Sequence, residues 1–177
     1  MKSAKISLAA CLFVLATAGW SVTMSPSLHS YPIDLVRLAR RDNVQLTRFE
    51  KIRTTAGEPA LRLTETVAKG HHRVEVVDIP VQPNATYKFS MYVRAGGRKQ
   101  ALVELRDQQM GDRATYGRAF FDLATKKATT ADKMREVDIK TLKGAWFLVS
   151  GVTQFTTSKA VLAISLLDPT SASSYQG

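Results

Sequence analysis

Thiol chemistry is almost absent from this sequence, because its only cysteine among 177 residues, Cys11, lies close to the N-terminus. Beyond Cys11 the chain cannot form a disulfide framework, a zinc–thiolate site or a cysteine nucleophile. Exported proteins often use disulfides, but a domain of this size can hold a core without them.

Familiar catalytic motifs are also missing: the sequence has no nucleophile elbow, phosphate-binding loop or His-Glu-x-x-His pattern. His71 and His72 are adjacent, so on a strand their side chains point to opposite faces and cannot share a metal ion without a bend. A glycosidase needs two facing carboxylates. Here the acids are spread over separate strand segments, and the chain is predicted not to be an enzyme: Glu65, Glu75, Glu104, Asp107 and Asp122.

Residues 1–18 have the form of a secretory signal peptide, with Lys2 and Lys5 before an uncharged apolar run and Ala16-Thr17-Ala18 as a cleavage site. Two alternatives stay open. The uncharged stretch continues to about residue 24, which is about the length of an uncleaved anchor helix, and residues 8–11 (LAAC) have the form of a lipoprotein box. All three predict an exported domain that is periplasmic, extracellular or membrane-anchored facing outward, and that meets a membrane only through its N-terminal segment.

Residues 19–43 are predicted to form a connector with one short helix. The apolar spacing of Ile33, Leu35, Val36 and Leu38 favours that helix, and Arg40 and Arg41 would lie at its C-terminal end, where the helix dipole favours positive charge.

Residues 44–177 are predicted to form a single all-β domain, an antiparallel β-sandwich. The clearest strand is 86–95, where Tyr87, Phe89, Met91 and Val93 alternate with polar residues, as in a sheet with one buried face. Segment 101–107 repeats this alternation, and we expect these two strands to be neighbours. The other predicted strands are 46–52, 60–66, 72–79, 118–123, a return strand after the turn at 125–127, 134–142, 146–155 and 160–167.

The formal net charge of +10 favours anionic partners. Charge alone supports a nucleic-acid partner, and no matching motif accompanies it, so no nucleic acid is predicted.

The sequence from about Phe49 to Gly177 resembles carbohydrate-binding-module-like jelly rolls of the galactose-binding-domain-like superfamily, which occur in exported bacterial and phage tail proteins. The segments that carry the resemblance are GEPALRL at 57–63, GHHRV at 70–74, YKFSMYVRAGG at 87–97, FDLAT at 121–125, GAWF at 144–147 and SYQG at 174–177.

The chain departs from that family's pattern in two places. Leu148 stands where the family usually has an arginine, and the chain stops at Gly177, one strand before the family does. The missing strand would leave an open sheet edge. Three explanations stay open: another chain completes the edge, the N-terminal segment completes it, or the gene is truncated. The resemblance also implies a structural calcium ion. Loop acids of the right hard-oxygen type are Asp107, Asp112 and Asp168; no other cofactor is predicted.

The predicted function is non-catalytic binding of a polysaccharide or cell-surface glycan on a concave sandwich face. Aromatic rings would stack on sugar rings and polar groups would bind the hydroxyls. The alternative is a structural or protein-interaction β-sandwich of the cell envelope with no small ligand. The residues predicted to form the binding platform are Tyr92, Arg94, Glu104, Arg106, Trp146 and Gln154.

Overall fold

The computed structural model describes residues 4–7, 15–18, 29–32, 39–53, 59–66, 71–108 and 115–167. Within these residues the secondary structure consists of strands and one short 3₁₀ turn, Lys143–Ala145. The strands are β1 (Ala4–Ser7), β2 (Leu15–Ala18), β3 (His29–Pro32), β4 (Ala39–Asp42), β5 (Val44–Arg53), β6 (Pro59–Glu65), β7 (Arg73–Pro80), β8 (Thr86–Arg94), β9 (Gln100–Asp107), β10 (Thr115–Asp122), β11 (Lys127–Ala131), β12 (Arg135–Thr141), β13 (Trp146–Gln154) and β14 (Lys159–Leu167).

The strands form two six-stranded sheets and one hairpin. Sheet I has the order β12-β13-β8-β2-β1-β3, and sheet II has the order β11-β10-β9-β14-β7-β4. Strands β5 and β6 pair with each other. Neighbouring strands run antiparallel except β1 and β3, which are parallel.

The two sheets bury one common core between them. On β8 the apolar half of the period-2 pattern, Tyr87, Phe89, Met91 and Val93, is buried, as sheet geometry requires of alternate residues. These side chains belong to the same cluster as the inward residues of sheet II. The Phe89 ring, for example, meets the Phe121 ring of β10 edge to face, with centroids 6.2 Å apart. The prediction of an all-β, sandwich-like fold is confirmed.

The predicted strands match the observed ones closely, because their alternation reports burial directly. Segment 86–95 was expected, for example, and Thr86–Arg94 is found. The helix predicted in the connector agrees less well with the structure. Most of its helix falls on residues 33–38, outside the described residues, and its expected C-terminal end at Arg40 and Arg41 is wrong. Those arginines lie in β4, whose backbone pairs with the edge of β7.

Of the leader, the structure describes two short strands, β1 and β2. The backbone of β2 lies antiparallel to β8, from Leu15 opposite Ser90 to Ala18 opposite Tyr87. Among the residues that the structure describes, no helix is long and apolar enough to cross a membrane. The signal peptide, the anchor and the lipoprotein box stay predictions.

Candidate functional site

Four of the six predicted platform residues lie together on the outer face of sheet I. Because the core takes alternate β8 residues, Tyr92 and Arg94 project to the opposite face. The antiparallel register places Trp146 of β13 directly opposite Arg94 and Leu148 opposite Tyr92. Gln154 lies on the same face at the far end of β13.

The side chains on this face differ in how they could meet a ligand. Arg94 is exposed and Tyr92 is half-buried, whereas Trp146 retains only 7% of its accessible surface. The indole is therefore part of the floor and does not offer an open stacking platform. The Gln154 side chain donates a hydrogen bond from Nε2 to the carbonyl oxygen of Asn84, 2.8 Å away, so its amide braces the turn before β8.

Three further basic residues share this face, and sequence reasoning did not select them. Lys88 of β8 and Arg135 of β12 lie opposite Val152 from its two sides, and Lys140 of β12 lies opposite Leu148. All three are exposed. Lys88 was visible in the β8 alternation, but Arg135 and Lys140 join the face only through the β12–β13 register, which contains a bulge. We call the exposed Lys88, Arg94, Arg135 and Lys140 the basic rims of sheet I.

The other two predicted platform residues, Glu104 and Arg106, lie on the outer face of sheet II. The expectation that their strand, β9, neighbours β8 is wrong, because the chain crosses between the sheets after Gly96 and Gly97. Alternation shows which residues face the core, but it does not show which sheet a strand joins. The six residues therefore do not form one platform.

Arg106 is already engaged in a buried ion pair. Its Nη2 lies 2.9 Å from Oε1 of Glu75, and the two side chains retain only 11% and 10% of their exposure. Arg73 adds a second, longer contact to the same oxygen at 3.4 Å. Val161 and Ala163 of β14, the strand between β9 and β7, are themselves buried on this outer face. The guanidinium of Arg106 is thus held by protein groups and is not presented to a ligand.

Glu104 lies beside this network. Its neighbour across the ladder is Ala163, and Glu75 lies on the other side of Ala163. Burial raises the pKa of Glu104, and the nearby Arg118, Arg73 and Arg106 oppose that rise. Two acids on either side of a small residue could exchange protons with a substrate, but Glu75 is occupied by its two arginines.

One of the three calcium candidates can be evaluated. Asp107 is fully buried; its Oδ2 accepts a hydrogen bond from Oγ1 of Thr156 at 2.8 Å, and its Oδ1 has no partner. An orphaned buried carboxylate oxygen suits a hard cation. Asp112 and Asp168 lie outside the described residues. Within the described ranges, no group of three or more His, Cys, Asp or Glu side chains is placed to hold a metal ion.

The adjacent histidines have structural contacts. Nδ1 of His72 lies 3.0 Å from the carbonyl oxygen of Asn43, and Nδ2 of Asn43 donates to the carbonyl oxygen of His71 at 3.0 Å. Asn43 has a positive φ of 50°, which asparagine tolerates better than most residues. These contacts fasten the bend between β4 and β5 to the start of β7.

Comparison with known proteins gives no family assignment: no protein-family model matches the chain, and no curated protein matches it. The resemblance to galactose-binding-domain-like jelly rolls therefore stays a prediction, and the function has to be argued from the two outer faces.

Proposed function

We propose that this chain is an exported, non-catalytic module that binds polysaccharide along the outer face of sheet I. The observation that carries the proposal is the cross-strand arrangement of β13 and its neighbours. A central row of Trp146, Leu148 and Val152 is bordered on both sides by exposed basic side chains and on one side by Tyr92. Sugar rings have apolar faces and polar edges, so a strip in which the half-buried Leu148 and Tyr92 keep some apolar surface open between polar borders complements them.

The jelly-roll assignment is part of this proposal. Its support is the path of the chain, which passes from β7 in sheet II to β8 in sheet I, returns for β9, β10 and β11, enters sheet I again for β12 and β13, and ends in sheet II with β14. The engaged state of Arg106 argues against sheet II as the main ligand face, since a ligand there would have to compete with Glu75.

Affinity electrophoresis of the full chain in gels containing soluble polysaccharides tests the binding proposal. We expect retardation by at least one polymer, and we expect Tyr92→Ala combined with Arg94→Ala to abolish it. Lys127→Ala is the matched control, because Lys127 is an exposed cation on β11 of the other sheet. If a broad polysaccharide panel causes no retardation, the proposal fails and the alternative of a structural or protein-interaction sandwich takes its place.

Export is the second part of the proposal, and it rests on the charged start, apolar run and small-x-small site of the leader. Intact-mass measurement of the protein made in a bacterial host and recovered from the periplasm or medium tests it. Cleavage after Ala18 gives Gly19 as the first residue. Protein found only in the cytoplasm with its leader intact would contradict export, while lipid attached to Cys11 would select the lipoprotein form.

A further inference from the structure

We infer that the mature chain is a dimer in which the β8 strands of two copies pair edge to edge. This inference rests on one part of the proposed function, cleavage of the leader after Ala18. The observation that carries it is the pairing of β8 on its two edges. Strand β13 covers one edge of β8 from Thr86 to Arg94, whereas the leader strand β2 covers the other edge from Tyr87 to Ser90.

Cleavage after Ala18 removes the leader's share of sheet I. Both β1 (Ala4–Ser7) and β2 (Leu15–Ala18) lie within residues 1–18, so both leave with the leader. Among the strands that the structure describes, only β2 pairs with this edge of β8. The vacated edge presents a row of backbone N–H and C=O groups, which is a template for pairing with another strand.

Strand β8 has the features of an interior strand. Its nine residues pair with β13 in unbroken register, and the side chains of Phe89 and Met91 have no exposed surface. At the opposite edge of sheet I, the ladder of β12 contains a bulge and most β12 side chains are exposed. Bulges and charged side chains protect an edge from further pairing. Because the ladder of β8 has no bulge, its vacated edge is expected to gain a new strand.

A second β8 fits this edge better than the next described strand of the same chain. Strand β3 (His29–Pro32) also loses its partner β1 on cleavage. It has only four residues, however, and its proline cannot donate a hydrogen bond to a ladder. A second β8 offers nine residues, so it can satisfy more of the vacated backbone groups.

The β8 sequence is self-complementary when two copies run antiparallel with Ser90 opposite Ser90. Directly opposed residues of an antiparallel pair lie on the same face. Phe89 then lies opposite Met91 on the core face, and Lys88 lies opposite Tyr92 on the outer face. A shift of one residue would turn the core side chains outward, and a pair centred on Lys88 would set two like charges opposite each other. The register centred on Ser90 avoids both.

The test uses the processed protein recovered after export, with its cleavage site established by intact mass. Size-exclusion chromatography with light scattering should give twice the mass of one processed chain. Cleavage also removes Cys11, so Ser90→Cys would carry the only thiol of the mature chain. Opposed Cα atoms in an antiparallel pair are about 4.5–5.5 Å apart, within reach of a disulfide. We expect Ser90→Cys to form a covalent dimer on mild oxidation. Thr129→Cys, exposed on β11 of the other sheet, is the matched control and should not.

A peptide of residues 14–19 flanked by lysines tests the same edge without changing the protein. In excess it should occupy the β8 edge as β2 does and halve the mass measured by light scattering. The control is a pair of peptides, one with Ala16→Pro and one with Thr17→Pro. Successive N–H groups of a strand point to opposite edges, so one of the two prolines removes a hydrogen bond to β8. That peptide should leave the dimer intact.

The outcomes separate this inference from the proposed function. A processed protein with the mass of a single chain overturns the inference and leaves export standing. A dimer that the peptide leaves intact and that Ser90→Cys does not cross-link overturns pairing at β8, as does equal cross-linking of Thr129→Cys. Retention of the leader, either uncleaved or lipidated at Cys11, contradicts cleavage after Ala18 and this inference with it. Polysaccharide binding is measured separately by affinity electrophoresis, so its failure bears on the proposed function alone.

Discussion

Replacing Glu75 by leucine would leave the Arg106 guanidinium charged and almost fully buried. The two side chains retain 10% and 11% of their exposure, and their closest atoms are 2.9 Å apart. Removal of one member of a buried ion pair typically costs about 3–5 kcal/mol, because the remaining charge stays buried after losing its closest opposite charge. We expect the free energy of unfolding of Glu75→Leu to fall by that amount, a large share of the roughly 5–15 kcal/mol available to a domain.

The reverse replacement should cost less. In Arg106→Met the Glu75 carboxylate keeps its 3.4 Å contact with Arg73, whose side chain is 31% exposed. The loss should therefore lie near the lower end of the same ~3–5 kcal/mol range. The double variant removes both charges and leaves two apolar side chains above Val161 and Ala163, so its stability should return to within about 1 kcal/mol of the wild type.

Urea unfolding followed by tryptophan fluorescence measures these differences, provided that the transitions are two-state. The pair of Asp78 and Lys159 is the control for distance alone. Its Nζ–Oδ1 separation is 2.7 Å, but the side chains are 55% and 53% exposed. Asp78→Asn should have no resolvable effect, because water screens exposed pairs. Equal small losses for Glu75→Leu and Asp78→Asn would refute the argument from burial, and so would a double variant no more stable than either single one.

Three other perturbations have defined outcomes. Gly151→Ala should lower the free energy of unfolding by about 1–3 kcal/mol, because the added Cβ would lie 2.6 Å from a Phe89 ring carbon. Gly96→Ala is the control, since a Cβ there meets nothing within 4 Å. Equal stability of the two variants would contradict this reasoning. Burial raises the pKa of Glu104. At a pH between its usual pKa and this raised pKa, the folded state therefore binds more protons than the unfolded state. The free energy of unfolding falls as the pH rises through that window, and the loss of stability persists at pH 7. Glu104→Gln should accordingly raise Tm at pH 7 and lose that advantage in acid, and a lower Tm at pH 7 would refute the sign. Calcium, compared with chelator, should raise the Tm of the wild type but not of Asp107→Asn, whose parent carboxylate has the orphaned buried oxygen; an equal rise in both would exclude Asp107 as a ligand.

The sequence predicted the strands well because alternation is a local property. In β8 each second residue is buried, and any chain with that pattern has one face against a core. Sheet membership is not local. The segment Gly96-Gly97 suits a hairpin between β8 and β9 equally well, but in the structure it carries the chain from one sheet to the other. Because β9 belongs to sheet II, Glu104 and Arg106 lie on a different sheet from Tyr92 and Arg94.

The candidate site was predictable only in part for the same reason. Arg94 and Trp146 are 52 positions apart, and no spacing in the sequence shows that they are cross-strand partners. The bulge in β12 then decides that Arg135 faces outward, since one residue fewer would reverse its side. The Glu75–Arg106 ion pair was unpredictable for the same reason. It joins β7 and β9, which are separated by β14 and do not pair with each other.

The two outer faces show why a net charge of +10 says little about where a ligand binds. On sheet II, Arg106 lies near Glu75, and Arg118 near Asp132, so these cations are largely neutralised by the protein. On the outer face of sheet I, the basic rims lie on both sides of the β13 residues Trp146, Leu148 and Val152. Since attraction for an anion depends on where exposed charge lies and not on the total, the net charge alone does not locate a binding face. Lys88→Gln and Lys127→Gln each remove one positive charge, the first from sheet I and the second from sheet II. Comparing the ligand affinities of the two variants separates the effect of where the charge lies from the effect of the total charge.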